Sequence, residues 1–328
     1  MASGFGAQDL VVITDLDLVA VITHDTTSAD GPRVPLKMLL HDVLLAAVDG
    51  EQPPFAPAAS CADKTMQLRE IAADGSSTGT PVPGWPADLV PWTVSPPGDR
   101  LVLSRRVAGL SALWTIERDG SGLRQITTTG LPPVTPAWSP DGTHVAFARG
   151  EPPGTALWLV APDGSDEHQL TSPQGFDHSP SWSPDGRQLA FVRGQGDVTG
   201  FGNPGAIWVI DTDGTGAHMV VAADATNPAW SPDGTVIAYE QSGEPSHIML
   251  VDPVTRHHAE LGEGLLPRWS PDSTRLVFLR QRPDGATDLY TMGRDGTHLR
   301  QLTDDPALDT APLWPTTNTI LYSTTAAS

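Results

Sequence analysis

The sequence predicts an all-β protein, a β-propeller built from four-stranded antiparallel blades. One line recurs along the chain: PAWSPDGTHVAF from Pro136, PSWSPDGRQLAF from Pro180, PAWSPDGTVIAY from Pro228, PRWSPDSTRLVF from Pro267 and a degraded PLWPTTNTILY from Pro312. A repeat of about 40 to 50 residues is typical of folds in which each unit buries its apolar faces against its neighbours. The 32 Gly and 32 Pro residues among 328 suit many short strands joined by tight turns.

Two hairpin turns define each repeat. In SPDG the proline sets φ at the second turn position, and the glycine takes the left-handed position that closes a hairpin. A second turn, usually Asp-Gly, follows about 25 residues after the signature tryptophan, so each repeat is a meander of strands A to D, counted outward from the axis. Aspartates in these turns explain part of the acidity: Asp74, Asp119, Asp141, Asp163, Asp185, Asp213, Asp233, Asp272 and Asp295.

We predict one domain over residues 1–328, with seven blades. Six of them are expected at about 33–83, 90–128, 134–172, 178–222, 226–262 and 265–304. The seventh is expected to combine residues 8–23 with residues 311–325. Pairing the N-terminal strands with the C-terminal blade would close the ring and remove exposed sheet edges.

Most of the tryptophans follow the repeat. Eight of the ten lie in repeat register and are expected to pack between blades: Trp138, Trp182, Trp230, Trp269 and Trp314 at the end of strand A, and Trp114, Trp158 and Trp208 in strand C. Replacing one of them with alanine should cost about 3 to 5 kcal/mol.

The pattern xPxWSPDGxxIAF, followed by a strand and DGxxxxxLT, resembles the TolB-like propeller repeat family over roughly residues 33–325. This resemblance implies the propeller fold. TolB itself has six blades, a leader peptide and an N-terminal α/β domain, whereas here the N-terminal residues are expected to close the ring. The partner-binding role of TolB at the outer membrane is therefore not carried over from the resemblance.

Charge and composition exclude some functions. The net charge is -20, with 39 Asp plus Glu against 19 Lys plus Arg, so we expect no nucleic-acid partner. The single Cys61 cannot form an internal disulfide. The first 25 residues lack a basic region, and Asp15 and Asp17 interrupt their apolar stretches, so we expect no membrane insertion and a cytoplasmic location, or a periplasmic or secreted one if a leader is missing.

The B-to-C and D-to-A connections vary in length, and they lie on one side of the disc, which we call the variable face. Length variation on one face predicts a binding face. Its long loops are expected at 49–65 and 194–205, the second carrying Phe201. Trp85 lies outside the repeat register and is a candidate ligand contact; alternatively, it covers a blade that lacks the signature tryptophan.

Arginine recurs eleven residues after the signature position, as Arg105, Arg149, Arg193 and Arg280. Four cations around one opening could bind a carboxylate or phosphate, because the guanidinium fork matches such groups. The other interpretation is that each arginine pairs with an acid of the adjacent blade.

A few histidines and acids fall in the D-to-A connections. His24, Asp177 and His178 are candidate catalytic residues, and Asp25, Asp177, His178 and Asp309 are candidate ligands of a divalent cation. No short metal-ligand spacing is present and no other cofactor is evident. Two functions stay open: a recognition module for a protein, peptide, glycan or small anionic ligand, and an enzyme, a lyase or hydrolase acting on an anionic sugar or specialised metabolite.

Overall fold

The computed structural model describes residues 66–86, 89–107, 110–127, 133–151, 154–173, 175–194, 205–305 and 307–325, together with two strands nearer the N-terminus, at 8–13 and 18–23. Throughout these ranges the regular secondary structure is β-strand, and no helix is present. The prediction of an all-β protein is therefore confirmed.

The strands are short, as the density of turn residues predicts. In chain order they are β1 (Gln8–Ile13), β2 (Leu18–Thr23), β3 (Met66–Ala72), β4 (Thr80–Pro81), β5 (Pro91–Val94), β6 (Arg100–Val107), β7 (Leu110–Glu117), β8 (Arg124–Gln125), β9 (Pro133–Trp138), β10 (Val145–Glu151), β11 (Gly154–Val160), β12 (His168–Gln169), β13 (Phe176–Trp182), β14 (Gln188–Gly194), β15 (Gly205–Asp211), β16 (His218–Trp230), β17 (Ile237–Gln241), β18 (His247–Val251), β19 (His258–Glu263), β20 (Leu265–Trp269), β21 (Arg275–Gln281), β22 (Thr287–Gly293), β23 (Arg300–Gln301), β24 (Asp309–Thr316) and β25 (Thr319–Thr325).

Apart from β1 and β2, these strands form six antiparallel units of four, which we number as blades. Blade 1 is β5 to β8, blade 5 is β20 to β23, and blade 6 has the order β24, β25, β3, β4. Blades 2, 3 and 4 are β9 to β12, β13 to β16 and β16 to β19, and they are joined into one 11-stranded sheet. They join because β16 is the outer strand of blade 3 and the inner strand of blade 4, and because β11 touches β13 in parallel.

Blade 6 corrects the predicted partition of the chain. Residues 8–23 do not pair with residues 311–325; β1 pairs with β2 in a separate two-stranded sheet. Instead β25 pairs with β3 over its whole length, from Thr319 opposite Ala72 to Thr325 opposite Met66. Since β4 occupies the other edge of β3, both edges of β3 are paired within blade 6, and the rest of the predicted blade 33–83, including the loop at 49–65, lies outside the described residues.

The first strand of each blade is its central strand. Each central strand contacts the central strand of the next blade, and β24 contacts β5. All six central strands have a bulge, which leaves one residue out of the antiparallel pairing, and in every one except β5 the bulge includes a proline. At these bulges the residue before proline has positive φ, an uncommon conformation outside glycine: Thr135 (49°), Ser179 (52°), Asn227 (51°), Leu266 (50°) and Ala311 (49°).

The SPDG turns are closed by side chains. In blade 4, Ser231 Oγ donates to Asp233 Oδ1 at 2.6 Å, and the same carboxylate oxygen accepts the backbone N–H of Thr235 at 3.0 Å. These hydrogen bonds recur in blades 2, 3 and 5. Because hydrogen bonds favour the ionised form, all nine predicted turn aspartates have a lowered pKa. The assignment of these aspartates to turns is confirmed.

The signature tryptophans pack between blades, as the repeat predicts. Trp182 and Trp269 each donate Nε1–H to a carbonyl of the preceding central strand, Ala137 at 3.0 Å and Ala229 at 2.9 Å. Trp138 clusters with apolar side chains of blade 1, and Trp314 with those of blade 5. The apolar core therefore lies in wedges between neighbouring blades.

Candidate functional site

Some predicted site residues lie outside the described residues: His24, Asp25 and Phe201. The described candidates are Trp85, the four repeating arginines, Asp177, His178 and Asp309. They occupy several blades.

Asp177 and Arg193 form an ion pair inside blade 3. They stand directly opposite each other on β13 and β14. Arg193 donates from Nε to Oδ1 and from Nη2 to Oδ2 of Asp177, both at 2.7 Å. Asp177 is completely buried, and the hydrogen bonds that Arg193 donates to it raise the pKa of Arg193; a charge-assisted, bidentate pair of this kind is among the stronger hydrogen-bonded contacts.

All four repeating arginines lie against aromatic rings of strand C. The distances from the guanidinium carbon to the ring centroid are 5.6 Å for Arg105 on Trp114, 3.7 Å for Arg149 on Trp158, 4.9 Å for Arg193 on Trp208 and 5.3 Å for Arg280 on Tyr290. Cation–π attraction of this kind fixes a side chain along its blade.

Their polar partners differ from the predicted ones. Arg149 pairs with Glu167 and Arg193 with Asp177, both acids of the same blade rather than of the adjacent blade. Arg280 donates Nε–H to the carbonyl of Glu263 at 3.0 Å. Anion binding by the four arginines together stays a prediction.

Trp85 follows the outer strand β4 on the way to β5. Its Nε1–H donates to the carbonyl of Leu89 at 2.8 Å, and its ring packs against the cluster that contains Leu68, Val82 and Leu101. The side chain is half-buried. This position fits the covering role, while the remaining exposed part leaves a ligand contact as a prediction.

The candidate metal ligands that the structure describes are not gathered at one point. Across the described ranges, no group of three or more His, Cys, Asp and Glu side chains is placed to hold an ion. His178 is completely buried, with Nδ1 3.0 Å from Ser179 Oγ, and Asp177 is held by Arg193.

Asp309 occupies in blade 6 the place that Asp177 has in blade 3, but it has no arginine partner among the described residues. It faces Thr324 across the sheet, and Oδ2 accepts a hydrogen bond from Thr303 Oγ1 at 2.5 Å. Its Oδ1 is buried without a partner within the described part of the chain. Burial, with the nearby carboxylates of Asp305 and Asp288, raises the pKa of Asp309 to about 6.

A residue that the sequence reasoning missed is Arg268, on the central strand β20. The residue before the signature tryptophan is small or apolar in the other recurring lines, Ala137, Ser181, Ala229 and Leu313. Arg268 is half-buried, and burial lowers its pKa to about 10, so it stays charged at neutral pH. Within the described residues its guanidinium donates one hydrogen bond, from Nη1 to the Pro267 carbonyl at 2.9 Å, and forms no ion pair. The signal was present in the line PRWSPDS, as a departure from the repeat.

One nucleophile motif proves to be structural. Gly75 to Gly79 reads GSSTG and so matches GxSxG. These residues form the hairpin between β3 and β4, and Ser77 Oγ accepts the backbone N–H of Ala72 at 3.1 Å. A nucleophile elbow requires a strand followed by a helix, so this serine closes a turn.

Comparisons with known proteins agree with this architecture. Residues 199–327 match the TolB beta propeller domain. The Tol-Pal system protein TolB of Anaeromyxobacter sp. (strain K) is 32% identical over 114 residues, which is 32% of this chain and 25% of that protein. An uncharacterized peptidase, YuxL of Bacillus subtilis (strain 168), is 32% identical over 111 residues, 30% of this chain and 17% of that protein. The chain thus matches a quarter or less of the length of these curated relatives.

Solved structures share the fold at lower identity. A structure described as TolB, from Agrobacterium tumefaciens, has a TM-score of 0.65 at 19% identity and covers 80% of this chain and 99% of that one. An oligogalacturonate lyase from Vibrio parahaemolyticus has a TM-score of 0.50 at 12% identity and covers 80% of this chain and 98% of that one. At these identities the similarity shows the fold alone.

The comparisons also correct the predicted location. The TolB relatives are periplasmic components of the Tol-Pal system, so the prediction of a cytoplasmic location is wrong. The described ranges contain no helix with the length and hydropathy needed to span a bilayer. The repeat line, the four-stranded blades and the match of residues 199–327 to the TolB beta propeller domain therefore agree on a TolB-like β-propeller fold.

Proposed function

We propose that this chain is a recognition module, a propeller of six blades that binds a peptide segment of a partner protein on its variable face. Closure of the ring by β24 and β25 with β3 and β4 is part of this proposal. The contact between β24 and β5 and the full pairing of β25 with β3 support it. A glycan or a small anionic ligand is a further candidate for the same face.

The observation that carries the proposal is the ion pair between Asp177 and Arg193. Asp177 and His178 are the described candidates for acid–base chemistry, and both are completely buried. A general acid or base must lie within hydrogen-bond reach of the proton that it transfers. Because both carboxylate oxygens of Asp177 accept hydrogen bonds from Arg193, Asp177 is better suited to stabilise blade 3 than to transfer a proton to or from a substrate.

The similarity to TolB adds support. Relatives named Tol-Pal system protein TolB are parts of a protein assembly, and a partner-binding role is transferred to this chain only as part of the proposal. The alternative is an enzyme acting on an anionic sugar in the central region, a chemistry that the neighbouring lyase structure has on the same fold.

Panning a phage-displayed library of random linear peptides on the immobilised full chain tests the proposal. We expect a common sequence among the enriched peptides and a dissociation constant below about 100 μM for the synthetic peptide, measured by calorimetry. Trp85→Ala should weaken this binding without lowering the melting temperature. Val254→Ala, which shortens an exposed apolar side chain in the turn between β18 and β19, is the matched control.

Two results would overturn the proposal: enriched peptides without a common sequence, or binding no tighter than about 1 mM. Loss of stability in Trp85→Ala would instead assign Trp85 to the core. Turnover of an oligogalacturonate by the wild-type chain would favour the alternative.

A further inference from the structure

Arg268 is the residue of the central strands whose charge the described structure leaves unexplained. Other arginines have a carboxylate partner, as Arg193 has Asp177 and Arg282 has Asp288, while Arg69, whose Nε is buried without a hydrogen-bond partner, lies on β3, outside the central strands. Burying a charge without a partner is costly. In a chain of 39 acidic and 19 basic residues, an arginine at the centre without an acid is unexpected.

The environment of Arg268 leaves its donors available. Burial alone lowers its pKa, and no described charged group contributes to that shift. None of its nitrogens is among the fully buried atoms that lack a partner, so the donors that Pro267 does not use keep access to solvent. A guanidinium has five N–H donors, and the contact to Pro267 uses one nitrogen.

We propose that Arg268 is an anion-binding residue at the centre of the propeller and that its ligand is a carboxylate of the bound peptide. This inference rests on the proposed recognition function and names the group recognised. The planar guanidinium fork matches a carboxylate in a bidentate manner.

Charge balance favours a carboxylate over a phosphate. Arg268 supplies one positive charge, and within the described structure no second cation neighbours it. A carboxylate carries one negative charge and neutralises it, whereas a phosphate group carries about 1.5 to 2 at neutral pH. The excess would remain unpaired in a chain of net charge -20.

The ligand must also reach the site. Arg268 is the fourth residue of β20, which begins at Leu265, so it lies about 10 Å along the strand from its start. A carboxylate on an extended segment, either a C-terminus or an Asp or Glu side chain, can enter to that depth. A C-terminus and an acidic side chain present the same carboxylate group to Arg268, and probes that carry one or the other distinguish them.

The first test is a titration of the wild-type full chain, followed by the Nε–Hε resonance of Arg268 in ¹⁵N NMR spectra. The resonance is assigned with Arg268→Gln. The probes are N-acetylglycine, which carries a C-terminal carboxylate, and N-acetylaspartate N-methylamide, which carries a side-chain carboxylate. Neutral N-acetylglycinamide and inorganic phosphate are the controls.

We expect a saturable shift of the resonance with one or both carboxylates, no shift with the neutral amide and a weaker shift with phosphate. An unmoved resonance, or an equal response to the amide or to phosphate, would overturn the proposal.

The second test uses the peptide selected by panning, with a free and an amidated C-terminus and with its acidic residues replaced. Arg268→Gln should raise its dissociation constant about tenfold to a hundredfold, and Arg187→Gln, at an exposed arginine, should leave it unchanged.

If Arg268→Gln binds the selected peptide as tightly as the wild type does, the carboxylate site is refuted and the recognition function stands. A carboxylate-dependent shift without any selected peptide would refute the recognition function alone. Equal melting temperatures of Arg268→Gln and the wild type exclude loss of folding as the cause.

Discussion

Arg193 holds the carboxylate of Asp177 with two hydrogen bonds of 2.7 Å, and its guanidinium carbon lies 4.9 Å from the ring centroid of Trp208. The acid, the cation and the ring belong to three successive strands, β13, β14 and β15. The ion pair therefore ties the central strand of blade 3 to the body of its blade. Asp309 has the same place in blade 6 without an arginine partner among the described residues.

Removing Arg193 should destabilise the protein strongly. Arg193→Gln leaves the carboxylate of Asp177 buried and unpaired, so we expect a loss of about 3 to 5 kcal/mol in the free energy of unfolding, measured with urea. Replacing both partners by apolar residues, Asp177→Leu with Arg193→Met, should recover much of that loss. If Arg193→Gln costs no more than the surface variant Arg187→Gln, the ion pair is not structural.

Asp309 should make stability depend on pH. Burial in the native state raises the pKa of Asp309 to about 6 from its ordinary value of 3.8, so the native state binds this proton more tightly than the unfolded state does. Its stabilising contribution is complete below pH of about 4 and is lost as the pH rises through 6. Relative to Asp309→Asn, the wild type should lose about 3 kcal/mol between pH 4 and pH 7. Urea unfolding of both proteins at several pH values measures this, and parallel curves would contradict it.

Two tryptophans allow a matched test of the bond between blades. Trp269 donates Nε1–H to Ala229, whereas Nε1 of Trp314 is buried without a partner among the described residues. Replacement by phenylalanine removes similar volume at both positions, but it breaks a hydrogen bond only at Trp269. Trp269→Phe should therefore cost about 1 kcal/mol more than Trp314→Phe, as measured by chemical denaturation. Equal losses would mean that the hydrogen bond adds nothing to the packing.

Closure of the ring can be tested by cross-linking. Gln67 and Thr324 stand opposite each other on β3 and β25, and opposed residues of antiparallel strands have Cα atoms about 4.5 to 5.5 Å apart, within disulfide range. In a Cys61→Ser background, Gln67→Cys with Thr324→Cys should form a disulfide that is detectable by mass spectrometry. Val11→Cys with Thr324→Cys tests closure by the N-terminal strands, and a bond in that pair but not in the first would refute the closure proposed.

The sequence predicted what short-range chemistry determines. The SPDG turns, their aspartates and the signature tryptophans are determined by residues within one repeat, so the recurring sequence was enough to place them. The partner of β25 could not be predicted in this way, because residues 8–23 and 66–81 both read as a strand pair, and the choice between them depends on pairing across most of the chain.

The site residues show the same division. Pairing of Asp177 with Arg193 follows from the register of two neighbouring strands, but the sequence analysis placed Asp177 in a connection between blades rather than on strand β13, and so suggested acids of the adjacent blade. The sequence analysis did not single out Arg268, because the residues on both sides of it follow the repeat. Its significance depends on the absence of a described acid nearby, which only the three-dimensional arrangement shows.

The central claim is that repeat residues build the scaffold and that ligand contact falls on residues that depart from the repeat. Calorimetric titration of the selected peptide into four single variants tests this most directly. We predict that Trp85→Ala and Arg268→Gln each raise the dissociation constant about tenfold or more, while Asp213→Ala and Asp295→Ala, at exposed repeat turns, leave it within about twofold. Loss of binding in the two turn variants, with Trp85→Ala and Arg268→Gln unaffected, would contradict the account.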